Sequence, residues 1–426
     1  MRRTIISAAV FCTFLFTGLI QAQPKRADVI TIDGIINPAV SEFITKAIAR
    51  SAAEGAECLI IRMDTPGGLD LSMRSIIKEM MSAGIPIVVY VSPGGARAAS
   101  AGALITIAAD IAAMAPGTNI GAAHPVSLGG GKMDDEMAAK VENDAAAYAE
   151  SIATKRNRNK EWAIKAVRES VSITEKEALE IKVIDLIASD LNDLLRQLDG
   201  RQITTAAGVK TLATNNIAVN EIHMGLREKV LDTLSNPNIA YILMMVGLLG
   251  LYFELSNPGA ILPGIIGGIS LILAFFAFQT LPVNYAGILL IILALILFIL
   301  EIKVTSFGML TVGGIISLTL GSLMLFDAQA PFARLSYEVV IPVVVVTSAC
   351  CVLTVYLAVK AYSRKPMTGR EGLRGEIGIC KSTIDPEGKV FVHGEYWNAL
   401  SDETIPEGTQ VKVLEVKDSK LKVKKV

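Results

Sequence analysis

An almost uncharged apolar tract in the second half of the chain limits what this sequence can fold into. Between residues 239 and 300 the only charged side chain is Glu254, and apolar residues predominate as far as Tyr362. A run of about 20 apolar residues is long enough to cross the roughly 30 Å hydrocarbon layer of a lipid bilayer as a helix. The tract therefore predicts a membrane domain over residues 238–362. Its five helices are predicted at about 239–255, 260–280, 284–302, 306–326 and 338–361.

The first residues of the chain are typical of a secretory signal peptide, which we predict over residues 1–23. Arg2 and Arg3 form a basic start, and an apolar stretch follows from Thr4 to Ile20. Ile20 is larger than the residue preferred three positions before a cleavage site. The alternative that this segment is an uncleaved membrane anchor is therefore retained. In both cases we expect the residues from 24 onward to begin outside the cytoplasm.

The distribution of cations predicts how the membrane domain is oriented. An odd number of spans places the two ends of the chain on opposite sides of the cell membrane. Basic residues follow the last predicted span, and basic residues concentrate on the cytoplasmic side of membrane proteins. They are Lys360, Arg364, Lys365 and Arg370. We therefore predict a multi-pass protein with an extracytoplasmic amino-terminal domain and a cytoplasmic carboxy-terminal domain.

Short β-rich runs alternate with helical patterns in the amino-terminal part of the chain. This alternation is typical of βαβ units and a mainly parallel sheet. The runs and patterns are, in chain order, Ala27–Ile32, Ala39–Ala53, Cys58–Met63, Ser72–Ala83 and Ile85–Val91. The pattern predicts an α/β domain over residues 24–200. A polar connector is predicted over residues 201–237, with a short amphipathic helix near Ile222–Leu234.

The residues after the membrane domain again have the composition of a soluble domain. β-rich segments separated by Gly and Pro predict a small OB-like β-barrel over residues 367–426. These segments are Gly375–Cys380, Lys389–Val392, Gln410–Val416 and Leu421–Val426. OB-type barrels can bind single-stranded nucleic acid through stacked aromatic residues. Because Phe391, Tyr396 and Trp397 are the only aromatic residues available for stacking, we expect no nucleic-acid partner.

Charge and cysteine content argue against several function classes. The chain has 40 basic and 41 acidic residues, so binding to a polyanion is not predicted. Its five cysteines form no CxxC pair, and it has only three histidines. Neither a zinc site nor a disulfide framework is therefore predicted. We expect no metal and no cofactor.

Two glycine-rich turns carry the residues best suited to catalysis. The turn Asp64–Gly68 follows a predicted strand, and Ser100 lies among small residues just before a helical stretch at Ala103–Ala113. A nucleophile in acyl transfer needs such a setting, because the substrate carbonyl must approach closely and oxyanion donors must be oriented in advance. Ser100 is our candidate nucleophile, and the amides of Gly68 and Ala101 are the candidate donors. The alternative is that the small residues serve packing alone.

Three segments of this region resemble the NfeD family of membrane-bound ClpP-class proteases. They are Asp64–Gly68, Ala98–Gly102 and Ala115–Ala122. The resemblance extends through the multi-span region and the terminal barrel, and so covers nearly the whole chain after the leader. It implies a ClpP/crotonase-like fold for the α/β domain and a homo-oligomer. It also implies a stomatin- or flotillin-like membrane protein as substrate or partner.

The resemblance also bears on which residue accepts the proton of Ser100. It implies a Ser–Lys dyad whose lysine lies on a helix after a glycine-rich loop, and Lys140 occupies the matching position within the predicted helix Met133–Lys155. Lys140 flanks an apolar stripe, and burial there would favour the neutral amine that a general base requires. The alternative for Lys140 is an exposed side chain paired with Asp144.

His124 is the alternative base. It lies close to where the Ser-His-Asp members of the ClpP class, to which the resemblance extends, carry their histidine. The acid of that triad would fall near Ser170, where no aspartate is present and only Glu169 is adjacent. Because a histidine without an orienting carboxylate is an incomplete triad, we favour Lys140 over His124.

These features together predict a membrane-bound serine endopeptidase, and the resemblance implies that it cleaves apolar segments of membrane-associated proteins. The loop Val126–Met133, which contains three consecutive glycines, is predicted to gate the site. Two other functions stay open. One is a non-catalytic membrane scaffold for a stomatin- or flotillin-like partner. The other is an acyl-CoA enzyme of the crotonase type, which the secretory leader disfavours because CoA substrates are cytoplasmic.

Overall fold

The architecture is that of a computed structural model of the chain. The structure describes residues 25–126, 134–256, 259–279, 281–304, 306, 308–326, 335–362 and 372–426. The predicted signal peptide and residues 127–133 of the predicted gating loop lie outside the described residues. The described residues divide into two compact units. The second unit consists of the residues from Ala349 to Val426 and of a short earlier segment from Glu301 to Val304, and the first unit contains the rest.

Strands and helices alternate in the amino-terminal region, as predicted. The strands are β1 (Arg26–Asp33), β2 (Leu59–Asp64), β3 (Ile87–Val91), β4 (Arg97–Ala99), β5 (Ile111–Met114), β6 (Asn119–Gly121), β7 (Ser172–Thr174), β8 (Leu186–Ile187), β9 (Gln202–Thr205), β10 (Gly208–Thr211) and β11 (Ala218–Glu221). The helices are α1 (Pro38–Ala53), α2 (Asp70–Ser82), α3 (Ala101–Ala108), α4 (Asp135–Lys155), α5 (Lys160–Arg168), α6 (Glu175–Glu180), α7 (Leu191–Leu198) and α8 (Leu226–Leu234).

A parallel sheet with the strand order β11-β1-β2-β3-β5-β8 forms the centre of this region. Its central strand β3 is buried at every residue, as expected when both faces of a parallel sheet are covered. Helices α1 to α5 supply the core on one face, whereas α7 and β9 contribute to the core on the other. A smaller sheet consists of β4, β6 and β7. The predicted α/β fold class is confirmed.

The predicted helical stretch Ala103–Ala113 ends earlier than expected. Helix α3 ends at Ala108, and Ile111–Met114 form the buried strand β5. Small and apolar residues fill the whole segment, so its periodicity does not separate a buried helix from a buried strand. Asp110 marks the break, because its carboxylate accepts the amide of Ile87 (2.8 Å) at the start of the neighbouring strand β3.

Residues 201–237, predicted to be a polar connector, contribute regular structure to this region. Strands β9 and β10 form an antiparallel hairpin. Strand β11 extends the sheet beside β1, with Ala218 opposite Arg26. Helix α8 lies within the range of the predicted amphipathic helix and packs on α1. The parallel sheet therefore draws on the chain well beyond residue 200.

The apolar tract forms a series of helices, as predicted. They are α9 (Pro237–Ser256), α10 (Ile261–Phe278), α11 (Tyr285–Lys303), α12 (Met309–Met324) and α13 (Tyr337–Tyr362). Within the described residues, α9, α10 and Tyr337–Leu357 of α13 are long and apolar enough to cross a membrane, whereas Tyr285–Glu301 and Met309–Met324 are shorter. Five full crossings stay a prediction.

Glycines allow close packing of α9 against α10. A Cβ atom on Gly250 would lie 2.4 Å from the carbonyl oxygen of Pro263, and one on Gly267 would lie 2.9 Å from the carbonyl oxygen of Gly247. Such contacts are typical of membrane helices, where small residues let two backbones approach. A buried hydrogen bond from the Tyr241 hydroxyl to Ser322 Oγ (2.8 Å) connects α9 with α12.

The carboxy-terminal residues form the predicted barrel. Its strands are β12 (Ile377–Cys380), β13 (Glu387–Val392), β14 (Glu395–Leu400), β15 (Gln410–Lys417) and β16 (Lys420–Lys425), closed in the order β12-β13-β14-β16-β15. Strand β14 is absent from the sequence prediction. It follows a tight hairpin turn at His393 and Gly394, where φ is 56° and 86°. Turns with two positive φ angles usually contain Asn-Gly or Asp-Gly, so a His-Gly pair does not indicate a hairpin turn in the sequence.

Candidate active site

The turn Asp64–Gly68 is held against strand β4. Thr65 is fully buried, its amide donates to the Arg97 carbonyl (2.8 Å), and its carbonyl accepts the amide of Ala99 (3.1 Å). The Asp64 carboxylate accepts the amide of Arg97 (3.0 Å). These bonds align the turn with the strand that leads directly into Ser100.

Ser100 has a backbone conformation that is rare for residues with a side chain. Its φ is 53° and its ψ is −116° at the junction between β4 and α3. The Ser100 amide donates to the carbonyl of Gly121 on β6 (2.9 Å), which fixes this conformation. Strained residues of this kind cluster at functional sites. No group in the described part of the chain hydrogen-bonds to the Ser100 hydroxyl, so the hydroxyl is available for reaction.

Gly67 and Gly68 allow the turn to approach its neighbours. A Cβ atom on Gly67, whose φ is +119°, would lie 2.7 Å from Ser100 Cβ. A Cβ atom on Gly68 would lie 2.2 Å from the carbonyl oxygen of Ile36. The Ile36 amide donates to the Gly67 carbonyl (2.9 Å), and the Leu69 amide donates to the Ile36 carbonyl (2.9 Å). Gly68 is therefore clamped on both sides by hydrogen bonds to one residue.

The amides of Gly68 and Ala101 have no acceptor among the described residues. Ala101 is the first residue of α3, where amides lack partners within the helix and the helix dipole is positive. Both residues line the same cleft as Ser100. Unbonded amides beside an available hydroxyl are the components of an oxyanion hole.

The cleft beside Ser100 has a volume of about 380 Å³ and brings every predicted site residue together. Most of its lining is apolar. It is lined by Gly68, Asp70, Met73, Arg74, Ser100, Ala101, Leu104, Ala123, His124, Pro125, Val126, Lys140, Val141, Asp144 and Ala145. Within the described ranges, no group of three or more His, Cys, Asp or Glu residues is arranged to hold a metal ion.

Lys140 lines the cleft, and of the two possibilities that the sequence left open for its side chain, burial or exposure, the structure has exposure. The side chain is 65% exposed, and its Nζ donates to Glu136 Oε1 (2.8 Å). The buried residues of α4 all lie in its second half, and Met137 and Val141 of the predicted apolar stripe are also exposed. The alternative pairing with Asp144 is likewise absent, because Asp144 pairs with Arg74 instead.

His124 follows β6 as an exposed residue with one oriented ring nitrogen. Its Nδ1 lies 3.0 Å from the carbonyl oxygen of Val167. If Nδ1 carries the proton of the neutral ring, it donates to this carbonyl and Nε2 is left as an acceptor. The Val167 carbonyl thus orients the ring, as a carboxylate would in a Ser-His-Asp triad. Glu169, the acidic residue adjacent to the expected triad position, is exposed after the end of α5.

Arg74 is a cleft residue that the sequence analysis missed. Its guanidinium lies 4.4 Å from the ring centroid of Tyr148 and pairs with Asp70 and Asp144, so it connects α2 to α4. Burial acts to lower the pKa of Arg74, but the Asp70 and Asp144 carboxylates outweigh it and raise that pKa. Burial raises the pKa of the Tyr148 hydroxyl. The Asp70–Arg74 spacing is too common on exposed helices to reveal this role.

Protein-family models match three consecutive parts of the chain. The model described as NfeD1b, N-terminal domain, matches residues 26–207. The NfeD integral membrane domain matches residues 238–357. The NfeD-like C-terminal, partner-binding domain matches residues 370–425. These matches correspond to the α/β region, the apolar helices and the barrel.

Among solved structures, the amino-terminal region is similar to a mutant of the 1510-N membrane-bound stomatin-specific protease in complex with a substrate peptide. The two are 31% identical, with a TM-score of 0.46, covering 49% of this chain and 97% of that one. It is also similar to the 1510-N membrane protease specific for a stomatin homolog from Pyrococcus horikoshii, at 30% identity, with a TM-score of 0.42 and the same coverage.

Two curated proteins are similar to the chain over nearly its whole length. The membrane-bound protease PH1510 of Pyrococcus horikoshii is 33% identical over 429 residues, which cover 98% of this chain and 96% of that protein. The membrane protein NfeD1b of Bacillus subtilis is 28% identical over 425 residues, which cover 95% and 94% respectively. With three matching family models and a relative of this identity and coverage, the chain belongs to the NfeD family of membrane proteins.

Proposed function

We propose that this protein is a membrane-bound serine endopeptidase in which Ser100 attacks the peptide carbonyl. The observation that carries the proposal is the strained Ser100 beside the unbonded amides of Gly68 and Ala101 in one cleft. A single oxyanion donor of this kind contributes about 10²–10³-fold to the rate of acyl transfer. Similarity to a membrane-bound protease over nearly the whole chain supports peptide bonds as the target.

Lys140 is the proposed base that accepts the Ser100 proton. A general base must be neutral, whereas Lys140 is exposed and paired with Glu136. A bound apolar segment would cover Met137 and Val141 on the same side of α4, and this cover would favour the neutral amine. Substrate binding therefore completes the dyad, in keeping with catalytic contacts that tighten only in the complex.

The lining of the cleft supports an apolar substrate segment. Met73 and Leu104 are buried and lie at its surface together with Ala123, Val141 and the small side chains beside Ser100. Segments of this kind occur in membrane proteins, and the family resemblance implies a stomatin-like protein as their source. Cleavage of such a segment is the proposed reaction.

Fluorophosphonate labelling of the full-length protein in nanodiscs tests the nucleophile. We expect one adduct on the wild type and none on Ser100→Ala. The matched control is Ser75→Ala, because Ser75 is an exposed serine on the neighbouring helix α2 and its loss should leave labelling unchanged. A folded wild-type protein that does not react would contradict the proposal.

A feature of the barrel supports partner binding as a second function. Ile379, Phe391 and Tyr396 lie opposite one another on adjacent strands, and Ile379 and Tyr396 are 41% and 68% exposed. The rings of Phe391 and Tyr396 have centroids 5.0 Å apart. Exposed aromatic residues in an apolar row are typical of protein interfaces. This row is the proposed surface for a stomatin-like partner, in accord with the partner-binding description of the matching family model.

Co-purification with a co-expressed stomatin-like protein tests this surface. Tyr396→Asp should abolish co-purification while fluorophosphonate labelling stays within about twofold, because the change is local to the barrel surface. Asn398→Asp is the matched control, since Asn398 is exposed on the same strand. Unchanged co-purification in Tyr396→Asp would contradict the assignment. Partner binding by a protein that never labels would favour the non-catalytic scaffold.

Orientation and assembly are further parts of the proposal. The α/β domain is placed outside the cytoplasm and the barrel inside, and the chain is placed in a homo-oligomer. Leu71 on α2 is 83% exposed, and an exposed apolar side chain of this kind supports an association between copies. Accessibility of single introduced cysteines to a membrane-impermeant reagent tests the orientation, and mass photometry in nanodiscs tests the assembly.

A further inference from the structure

Helix α8 joins the α/β domain to the first membrane helix. Only Ser235 and Asn236 separate its last residue, Leu234, from the start of α9 at Pro237. Helix α8 contacts α1 and also both α9 and α10. A movement of these membrane helices would therefore reach α1 through one short helix.

Three polar contacts hold α8 on α1, and the longest joins Arg227 of α8 to Glu42 of α1 (3.6 Å). Near the middle of α1, Lys46 Nζ donates to Glu228 Oε1 (2.8 Å) at an exposed site. At the amino end of α1, Asn37 Nδ2 donates to Asp232 Oδ1 (2.7 Å), and Asn37 is only 4% exposed. The Asn37 Oδ1 atom accepts the amide of Val40 (2.9 Å) as the N-cap of α1. Both ends of the Asn37 side chain are thus engaged.

Asn37 directly follows Ile36, the residue that clamps the turn carrying Gly68. The carbonyl of Ile36 belongs to the peptide bond between Ile36 and Asn37. It accepts the Leu69 amide and occupies the space where a Cβ atom of Gly68 would lie. The Ile36 carbonyl thus holds the peptide unit between Gly68 and Leu69, while the Ile36 amide holds the Gly67 carbonyl, which shares its peptide unit with the Gly68 amide. A shift of Asn37 would therefore displace the residue that holds Gly68 on both sides, and the Gly68 amide would turn with it.

We propose that Asn37 and Asp232 are positioning residues for the oxyanion hole, and that they couple its geometry to the docking of α8 on α1. The coupling rests on the proposed function, because it assigns the Gly68 amide to an oxyanion. Full activity is then a property of the chain with its membrane helices attached and α8 docked. When α8 leaves α1, the site keeps Ser100 but loses the alignment of one donor.

The chain offers a graded set of variants to test this coupling. Asp232→Ala removes the acceptor. Asn37→Asp keeps an oxygen to cap α1 but places two carboxylates opposite each other. The double variant Asn37→Asp/Asp232→Asn exchanges donor and acceptor and restores a hydrogen bond. Glu228→Gln is the matched control, because it weakens one of the other contacts between the same two helices and leaves Asn37 untouched.

The first readout is the rate of fluorophosphonate labelling of the full-length protein in nanodiscs. We expect about a tenfold loss for Asp232→Ala and a larger loss for Asn37→Asp, since a misplacement of about 1 Å costs up to roughly 10²-fold. The double variant should return to within about twofold of the wild type, and Glu228→Gln should lose less than about twofold. Equal losses in Asp232→Ala and Glu228→Gln would overturn the coupling.

Hydrogen exchange over residues 64–72 gives a second readout that does not depend on catalysis. The Leu69 amide, bound to the Ile36 carbonyl, should exchange faster in Asp232→Ala and at the wild-type rate in Glu228→Gln. Unchanged exchange together with unchanged labelling in Asp232→Ala would overturn the coupling. Faster exchange in Asp232→Ala, in a protein whose wild type never labels, would support the coupling and contradict the proposed peptidase.

Discussion

The two walls of the Ser100 cleft differ in how firmly the fold holds them. The oxyanion wall, formed by Asp64–Gly68, Ser100 and Ala101, is fixed by backbone hydrogen bonds to β4, β6 and Ile36. The base wall, formed by the first half of α4, is exposed and holds Lys140 in a solvent-facing pair with Glu136. The fold therefore fixes the proposed oxyanion donors, whereas the proposed base, Lys140, is exposed and paired with Glu136.

In the proposed mechanism, the two walls therefore have different roles. Donors that are oriented in advance stabilise an oxyanion without any reorganisation at the moment of reaction. In the proposed mechanism, cleavage of a peptide bond is slow until an apolar segment covers α4 and completes the base. The oxyanion wall would then set how fast a bound segment reacts, and the base wall would set which segments react at all.

Lys140→Ala tests the base wall with the largest expected effect. Loss of the proposed general base should lower the rate of peptide cleavage by about 10²–10⁴-fold. Lys155→Ala is the matched control, because Lys155 is an exposed lysine in the last turn of the same helix. Full activity of Lys140→Ala combined with inactivity of His124→Ala would transfer the role of base to the histidine.

Gly68→Ala tests the oxyanion wall with the next largest effect. The added Cβ atom would meet the Ile36 carbonyl oxygen at 2.2 Å, so the turn must shift and the amide lose its direction. Loss of one donor should slow labelling by about 10²–10³-fold. Gly84→Ala is the control, since its Cβ atom would lie 3.8 Å from the nearest neighbour. A folded Gly68→Ala protein that labels at the wild-type rate would contradict the proposed oxyanion hole.

Arg74→Ala tests the connection between the walls and has the smallest expected effect. Because Asp144 is largely exposed, the lost ion pair should lower the free energy of unfolding by less than about 1 kcal/mol. The KM for a peptide substrate should rise several-fold with kcat nearly unchanged, because α4 is less firmly held over the cleft. Arg168→Ala, which removes a contact from α5 to Asn143 of α4, is the control. A fall in kcat alone would refute this role.

The oxyanion wall was the part of the site most accessible from the sequence. Its glycines and small residues lie in two short local turns, and the strained Ser100 lies where strand and helix patterns meet. The sequence left both a buried and an exposed Lys140 possible, because the pattern within α4 does not show that only the second half of the helix is buried. Ile36, Asn37 and Arg74 were missed since their contacts join segments that are distant in sequence.

The fold shows the same division between local and long-range information. The apolar tract identified the membrane region, and alternation of strands and helices identified the parallel sheet. Strand β11 was not predicted, because its four residues are short of a strand pattern and only their pairing with β1 makes them a strand. Strand β5 was assigned to a helix, because an apolar run buried on all sides has the same composition in both states.

A cryo-EM structure of the full-length protein with a peptide aldehyde that ends in an apolar residue tests the central claim most directly. The account predicts a hemiacetal on Ser100 Oγ whose oxygen lies about 2.7–3.1 Å from the amide nitrogens of Gly68 and Ala101. It also predicts that Lys140 Nζ leaves Glu136 and contacts Ser100 Oγ. An adduct on another residue, or one in which Lys140 stays on Glu136 while His124 Nε2 contacts Ser100 Oγ, would contradict it.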